Sequence, residues 1–188
     1  MNFRLTVLFL LLLPFAAHAQ LRIWNNGKTI NYQQAGITYA LQYSGNFSDS
    51  AFYALSGKWQ SLTDKQLSIS HQPYTVWLRI PLRTIKAAGD FNYVNIENPH
   101  INRLQCWIVQ QDSIIRKFNL TGDNILFNSR PIPLRHFSFP VADSLTSHCD
   151  IIIATDKRYT KLDLPVHFIS ASHYLATTQH NNLFLGIF

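Results

Sequence analysis

The sequence predicts an all-β sandwich behind a removable export leader. Three observations carry this reading. Short runs rich in β-branched and aromatic residues recur at roughly 8–15 residue spacing. Turn-forming residues separate them. Beyond the leader, no segment keeps a helical period for more than about ten residues.

The leader comes first. Arg4 supplies a positive end, Leu5 to Phe15 form an apolar run broken only by Thr6 and Pro14, and Ala17-His18-Ala19 offers small residues for cleavage before Gln20. Charge, apolar run and small-residue site in that order make a secretory signal peptide over residues 1–19. The apolar run is too short to span a ~30 Å hydrocarbon core as a helix. No cysteine follows the cleavage site to carry a lipid anchor, and the length that remains suits one domain with a real core.

Strands are predicted at Leu21–Trp24, Lys28–Tyr32, Ile37–Tyr43, Leu67–Ser70, Thr75–Arg83 and Phe91–Glu97. Further strands are predicted at Arg103–Gln110, Ser113–Asn119, Asn124–Phe127, Leu134–Phe139, Asp150–Ala154 and Leu164–Ser170. Asn25-Asn26-Gly27 and Thr121-Gly122-Asp123 tolerate positive φ, and Gln110-Gln111-Asp112 suits a hairpin turn. Ser48-Asp49-Ser50, ahead of Ala51-Phe52-Tyr53-Ala54-Leu55, reads as the cap of one short helix. After Ile169 the pattern breaks, and the chain turns apolar again from Leu183 to Phe188. That tail either folds back on the sandwich or begins a membrane helix.

Composition narrows the chemistry. The 16 Lys and Arg against 10 acidic residues give a net charge of +6, and loss of Arg4 with the leader leaves 15 against 10, or +5. That sign suits an acidic ligand or an anionic membrane surface. The basic residues are scattered, however, without the clustering of a nucleic-acid footprint, so no nucleic-acid partner is expected. Glu97 is the only glutamate, and the aspartates fall mostly in turn-like contexts, whereas glycoside hydrolysis usually takes two opposed carboxylates. There is no Gly-x-Ser-x-Gly elbow, no His-Glu-x-x-His and no zinc-type Cys/His spacing. No catalytic residue, metal or cofactor is therefore expected. Cys106 and Cys149 lie in apolar strand-like runs, where a disulfide and a pair of buried thiols are equally compatible with export.

Strand alternation supplies the candidate site. Val76, Leu78, Ile80 and Leu82 share one face of their strand, with Trp77, Arg79 and Arg83 on the other. Val94 and Ile96 oppose Tyr93, Asn95 and Glu97; Leu104, Cys106 and Ile108 oppose Gln105 and Trp107. The apolar sets mark the core. The opposite set suits a small polar ligand, above all a sugar, with rings stacking on C–H faces and amide, carboxylate and guanidinium groups forking to hydroxyls. The alternative has Trp77 and Trp107 packed beneath the N-terminal segment under arginine stems. Two prolines hold Arg130-Pro131-Ile132-Pro133 extended, so Arg130 and Arg135 stand either at a binding rim or in a loop closing the sandwich end. The ligand-binding candidates are thus Trp77, Arg79, Tyr93, Asn95, Glu97, Trp107, Arg130 and Arg135.

Several of these segments resemble a known family. Tyr74-Thr75-Val76-Trp77-Leu78-Arg79-Ile80-Pro81-Leu82 and Asn95-Ile96-Glu97-Asn98-Pro99 through Leu104 are two of its motifs. Gly122, then Arg130-Pro131-Ile132-Pro133 and Phe137-Ser138-Phe139-Pro140, form a third, and Asn182 to Phe188 look like the start of its first transmembrane helix. The family is the bacterial seven-transmembrane receptors with diverse intracellular signalling modules, at their second extracellular domain. The resemblance implies a jelly roll similar to carbohydrate-binding modules at residues 20–180, and a truncated membrane helix at 181–188. It implies a periplasmic location, a glycan or small-molecule ligand, a membrane anchor after residue 188 and an output domain downstream. A free secreted binding module and a small jelly-roll hydrolase are the competing readings.

Overall fold

Period-two alternation sorts each strand between two faces, and an apolar face must close on a second sheet. The computed structural model of the chain describes residues 21–43, 45–63, 74–142, 148–156 and 162–176. The leader, the expected strand Leu67–Ser70 and the apolar tail at 181–188 lie outside those residues.

The elements run β1 (Leu21–Asn25), β2 (Lys28–Thr29), β3 (Thr38–Gln42), α1 (Asp49–Tyr53), β4 (Gln60–Ser61), β5 (Thr75–Pro81) and α2 (Leu82–Ala87). They continue β6 (Tyr93–Ile96), β7 (Arg103–Gln110), β8 (Ser113–Lys117), a 3-10 turn (Phe127–Ser129), β9 (Phe137–Pro140), β10 (Cys149–Asp156) and β11 (Leu164–Ile169). A five-stranded sheet has the order β2-β1-β11-β6-β9, and a six-stranded sheet the order β4-β3-β5-β10-β7-β8. Only β1 and β11 pair in parallel among these strands; the other pairings are antiparallel. The protein is the all-β two-sheet sandwich that the sequence predicts.

Between the sheets lies the main core, built from the residues that alternation assigns to it. Val76, Leu78 and Ile80 meet Val94 and Ile96, with Leu104, Cys106 and Ile108 beside them. Turn chemistry sets the registers. Asn26 and Gly27 adopt φ 46° and 81°, and Gln111 and Asp112 adopt φ 46° and 62°, the positive pairs that a two-residue hairpin needs. Gly122 answers a different need: a Cβ there would sit 2.2 Å from the Asn102 carbonyl oxygen.

Three expectations are corrected. Asn124–Phe127 forms no strand, and the chain there turns into the 3-10 segment. The strand expected from Leu134 begins only at Phe137, because the Arg130 guanidinium donates to the carbonyls of Leu134 and Arg135 and holds that segment as a loop. The strand expected to reach Arg83 stops at Pro81, and α2 follows, burying Leu82 and Ile85 one turn apart. Asn25 secures α2: its buried amide donates at 2.8 Å to the carbonyls of Ile85 and Gly89. The short capped helix is where the sequence places it, with the Ser48 hydroxyl accepting from the Ala51 amide at 3.1 Å.

A second apolar cluster covers the outer face of the six-stranded sheet. Trp77 and Trp107 stack at 5.2 Å with 22° between their planes, and Phe47, Ala51, Phe52 and Leu55 close over them. The strap from Gly45 to Trp59 is pinned at two places. Asp49 accepts from the Trp107 indole at 3.1 Å and from Lys117 at 2.7 Å. Arg103, paired with Asp156 at 2.7 Å, donates to the Gly45 carbonyl and lies over the Phe47 ring. Both tryptophans are fully buried, so they pack beneath this N-terminal strap and present no ring face to a ligand.

Of the two readings open for the cysteines, the structure shows the pair of buried thiols, both free. In the β7–β10 register Cys106 faces Ile153, four positions along β10 from Cys149. At ~3.3 Å per residue that separation exceeds what a disulfide spans.

Burial inside a stacked pair makes Trp107 structural. Trp107→Ala is expected to cost about 3–5 kcal/mol in denaturant unfolding, the range for deleting a large buried ring; a change within experimental error would show that the strap does not hold the ring.

Candidate functional site

On the five-stranded sheet, pairing lines outward side chains into one row. Thr29 faces Trp24, Trp24 faces His167, His167 faces Asn95 and Asn95 faces Ser138. Their strand neighbours Ile23, Val166, Phe168, Val94, Ile96, Phe137 and Phe139 point into the core, so alternation alone sends the row outward. The rings of Trp24 and His167 stack at 4.2 Å with 21° between planes. Glu97 follows directly after β6, and its carboxylate lies 3.4 Å from His167 Nε2 with half its side chain exposed.

Two neighbouring segments border the row. Tyr174, in the helical stretch at 171–176, stacks on Tyr93 at 4.2 Å. The loop before β9 brings His136 to Asn95, with Asn95 Nδ2 and His136 Nε2 3.3 Å apart. Asn95 Oδ1 accepts from the Ser138 hydroxyl at 2.8 Å, so its amide nitrogen is the group that donates to the imidazole. Arg130 stiffens this loop: its guanidinium lies between the rings of Phe127 and Phe137, at 4.7 and 4.6 Å, besides holding two loop carbonyls. Arg135 is exposed and takes part through its carbonyl.

The eight sequence candidates therefore divide between opposite faces of the sandwich. Tyr93, Asn95 and Glu97 come together on the five-stranded sheet, with Arg130 and Arg135 in the bordering loop. Trp77, Arg79 and Trp107 belong to the six-stranded sheet, the two tryptophans buried and Arg79 paired with Asp150 at 2.5 Å and Asp112 at 2.8 Å. Trp24, His167, His136, Ser138 and Tyr174 join the site without having been expected. Trp24 and His167 alternate with core residues in their own strands, which is the signal that marks them as outward. The parallel β1–β11 pairing that sets them side by side leaves no mark in the sequence.

The electrostatics favour neutral imidazoles. Burial draws His136 below the ordinary histidine value; Glu97 opposes this, while Arg130 and His167 reinforce it. His167 is likewise lowered mainly by burial, with Glu97 opposing and His173 reinforcing. Neutral His136 accepts at Nε2 from Asn95, consistent with that direction. The site thus presents stacked rings and a half-exposed carboxylate, with the buried amide of Asn95 behind them, engaged at both ends by Ser138 and His136. Among the described residues no group of three or more His, Cys, Asp or Glu side chains is placed to hold a metal ion.

This geometry defines a β-sandwich with one outer face sealed by a strap and the other carrying partly exposed aromatic and polar groups. The chain belongs to the 7TMR-DISM extracellular 2 family, whose model matches residues 21–170. It is an extracellular sensor domain of a transmembrane receptor, the family that its sequence motifs resemble. No curated protein matches it. Among the described residues no helix is long and apolar enough to cross a membrane.

The histidine shifts carry a stability prediction. Unfolded histidines take up protons near pH 6.5, whereas His136 and His167 resist protonation while the chain is folded. Unfolding therefore binds protons, and their contribution is intact above pH 6.5 and lost as pH falls through the lower folded values. The melting temperature should drop as pH is lowered from neutral through this window, and the drop should shrink in the double variant H136Q/H167Q. An equal drop in the variant would assign it to other groups.

Proposed function

We propose that this sensor domain recognises a small polar ligand, a carbohydrate foremost, on the outer face of its five-stranded sheet, and does so without transforming it. The observation that carries this reading is the Trp24–His167 stack standing beside the half-exposed Glu97 carboxylate, with buried Asn95 fixing the row beneath. An aromatic ring meets the C–H face of a pyranose, while a carboxylate meets its hydroxyls, so one ligand class uses both the stack and Glu97. Glu97 is the carboxylate that the row offers, short of the opposed pair that glycoside hydrolysis usually takes. That favours recognition over turnover.

On this reading the ligand acts in signalling. A bound ligand shifts a receptor's equilibrium only by its differential affinity for two arrangements. Here the ligand would touch β1, β11 and β6 together, and it would meet the helical stretch at 171–176 through Tyr93 and Tyr174. On the same reading that stretch leads toward the membrane unit. Location at the periplasmic face of a membrane, with an anchor beyond residue 188, follows from the same reading.

Calorimetric titration against a glycan panel tests it. For the glycan that binds, Trp24→Ala and Glu97→Gln should each weaken affinity about tenfold or more, the loss expected of a stacked ring or a charge-assisted hydrogen bond. Their melting temperatures should stay close to that of the parent chain. Unchanged affinity in both variants would remove this face as the site.

A further inference from the structure

The opposite face holds a separate cleft that the row of Trp24, His167, Asn95 and Glu97 does not explain. It has a volume of about 220 Å³ and lies between the strap and the six-stranded sheet, lined by Phe52, Tyr53, Gly57, Trp59, Arg79 and Asp112. Its size falls below the ~300–1,000 Å³ of pockets for drug-sized ligands, so it admits one small group. Both walls are fixed. Phe52 is buried in the second apolar cluster and Trp59 packs against it, while Gly57 turns the chain at φ 73° with the Lys58 amide donating to the Leu55 carbonyl at 2.9 Å. On the sheet side, the Gln111-Asp112 hairpin turn sets Asp112 against Arg79.

Charge selects among small ligands. Arg79 carries one positive charge and already meets two carboxylates, Asp150 at 2.5 Å and Asp112 at 2.8 Å. Arg79, Asp150 and Asp112 together sum to one negative charge, with Asp112 the carboxylate that lines the cleft, and the guanidinium is not free to capture an anion. Asp112 keeps 71% of its side chain exposed, and Tyr53 is 52% exposed, so a carboxylate and a ring are both open to solvent at the mouth. Aromatic faces beside an excess carboxylate attract a cation through ring quadrupole and Coulomb field together. A neutral molecule of the same shape gains only the first contact with apolar surface.

We infer that this cleft binds a small organic cation, an alkyl- or quaternary ammonium head group, against Trp59 and Tyr53 with Asp112 as its counter-charge. The site is independent of the carbohydrate reading and occupies the other side of the sandwich. It also joins the strap to the sheet, so the cation would tie the two together.

Titration of the full chain with choline, and with its neutral carbon isostere 3,3-dimethylbutanol, tests the inference. Choline should bind saturably and at least about tenfold more tightly than the isostere. Asp112→Asn keeps a residue that tolerates positive φ and removes the charge; it should weaken choline about as much, and Trp59→Ala should do the same. Glu97→Gln, on the far face, should leave choline binding unchanged, which separates this site from the glycan site. Equal affinity for choline and the isostere, unaltered choline binding in Asp112→Asn, or no saturable binding of choline would overturn the inference.

Discussion

The Asp49 carboxylate accepts from the indole of Trp107 and the ammonium of Lys117, two strands of the six-stranded sheet, at 3.1 and 2.7 Å. The Lys117 hydrogen bond, then that of Trp107, holds this carboxyl below the ordinary aspartate value against the opposing effect of burial. Through that junction a short capped helix becomes the cover of a sheet face. Arg103 makes the second junction, reaching the Gly45 carbonyl from its pair with Asp156. With both in place, Trp77 and Trp107 are removed from water, and the central strands β5, β10 and β7 are buried on both faces.

The distribution of function follows from that cover. A sandwich has two outer faces, and this one has committed the six-stranded face to a second apolar core. The five-stranded face keeps Glu97 half exposed and His167 partly so, beside the Trp24 ring. Its border residues are themselves ordered, Asn95 between Ser138 and His136, and Arg130 between two phenylalanine rings. Polar groups held by other polar groups lose little freedom on meeting a ligand, which is what preorganised recognition needs. The cleft beside Arg79 opens to solvent where the strap leaves Asp112 exposed.

Much of this was legible in the sequence, for reasons that lie in local geometry. Period-two alternation put Val76, Leu78, Ile80, Val94, Ile96, Leu104, Cys106 and Ile108 in the core, where they are. Turn chemistry found the Asn26-Gly27 and Gln111-Asp112 hairpins, and capping chemistry found the helix at Asp49. Alternation says only that a residue points away from the core, not what lies above it. It therefore groups Trp77 and Trp107 with Tyr93 and Glu97, although a strap covers the first pair and not Glu97. Pairing between distant strands is equally silent in one sequence: Trp24 and His167 become neighbours only through the β1–β11 ladder. The helix after Pro81 was hidden for a simpler reason, since Leu82 continues the alternation of β5.

The sealed tryptophan pair is the claim on which the assignment of faces rests, and acrylamide quenching reads it directly. The chain has four tryptophans, so a W24F/W59F variant reports only on Trp77 and Trp107. The account predicts that their fluorescence resists quenching in the folded chain and becomes fully quenchable on unfolding. Quenching in the folded chain as strong as that of a solvent-exposed indole would contradict it, and would return the six-stranded face to consideration as the ligand platform.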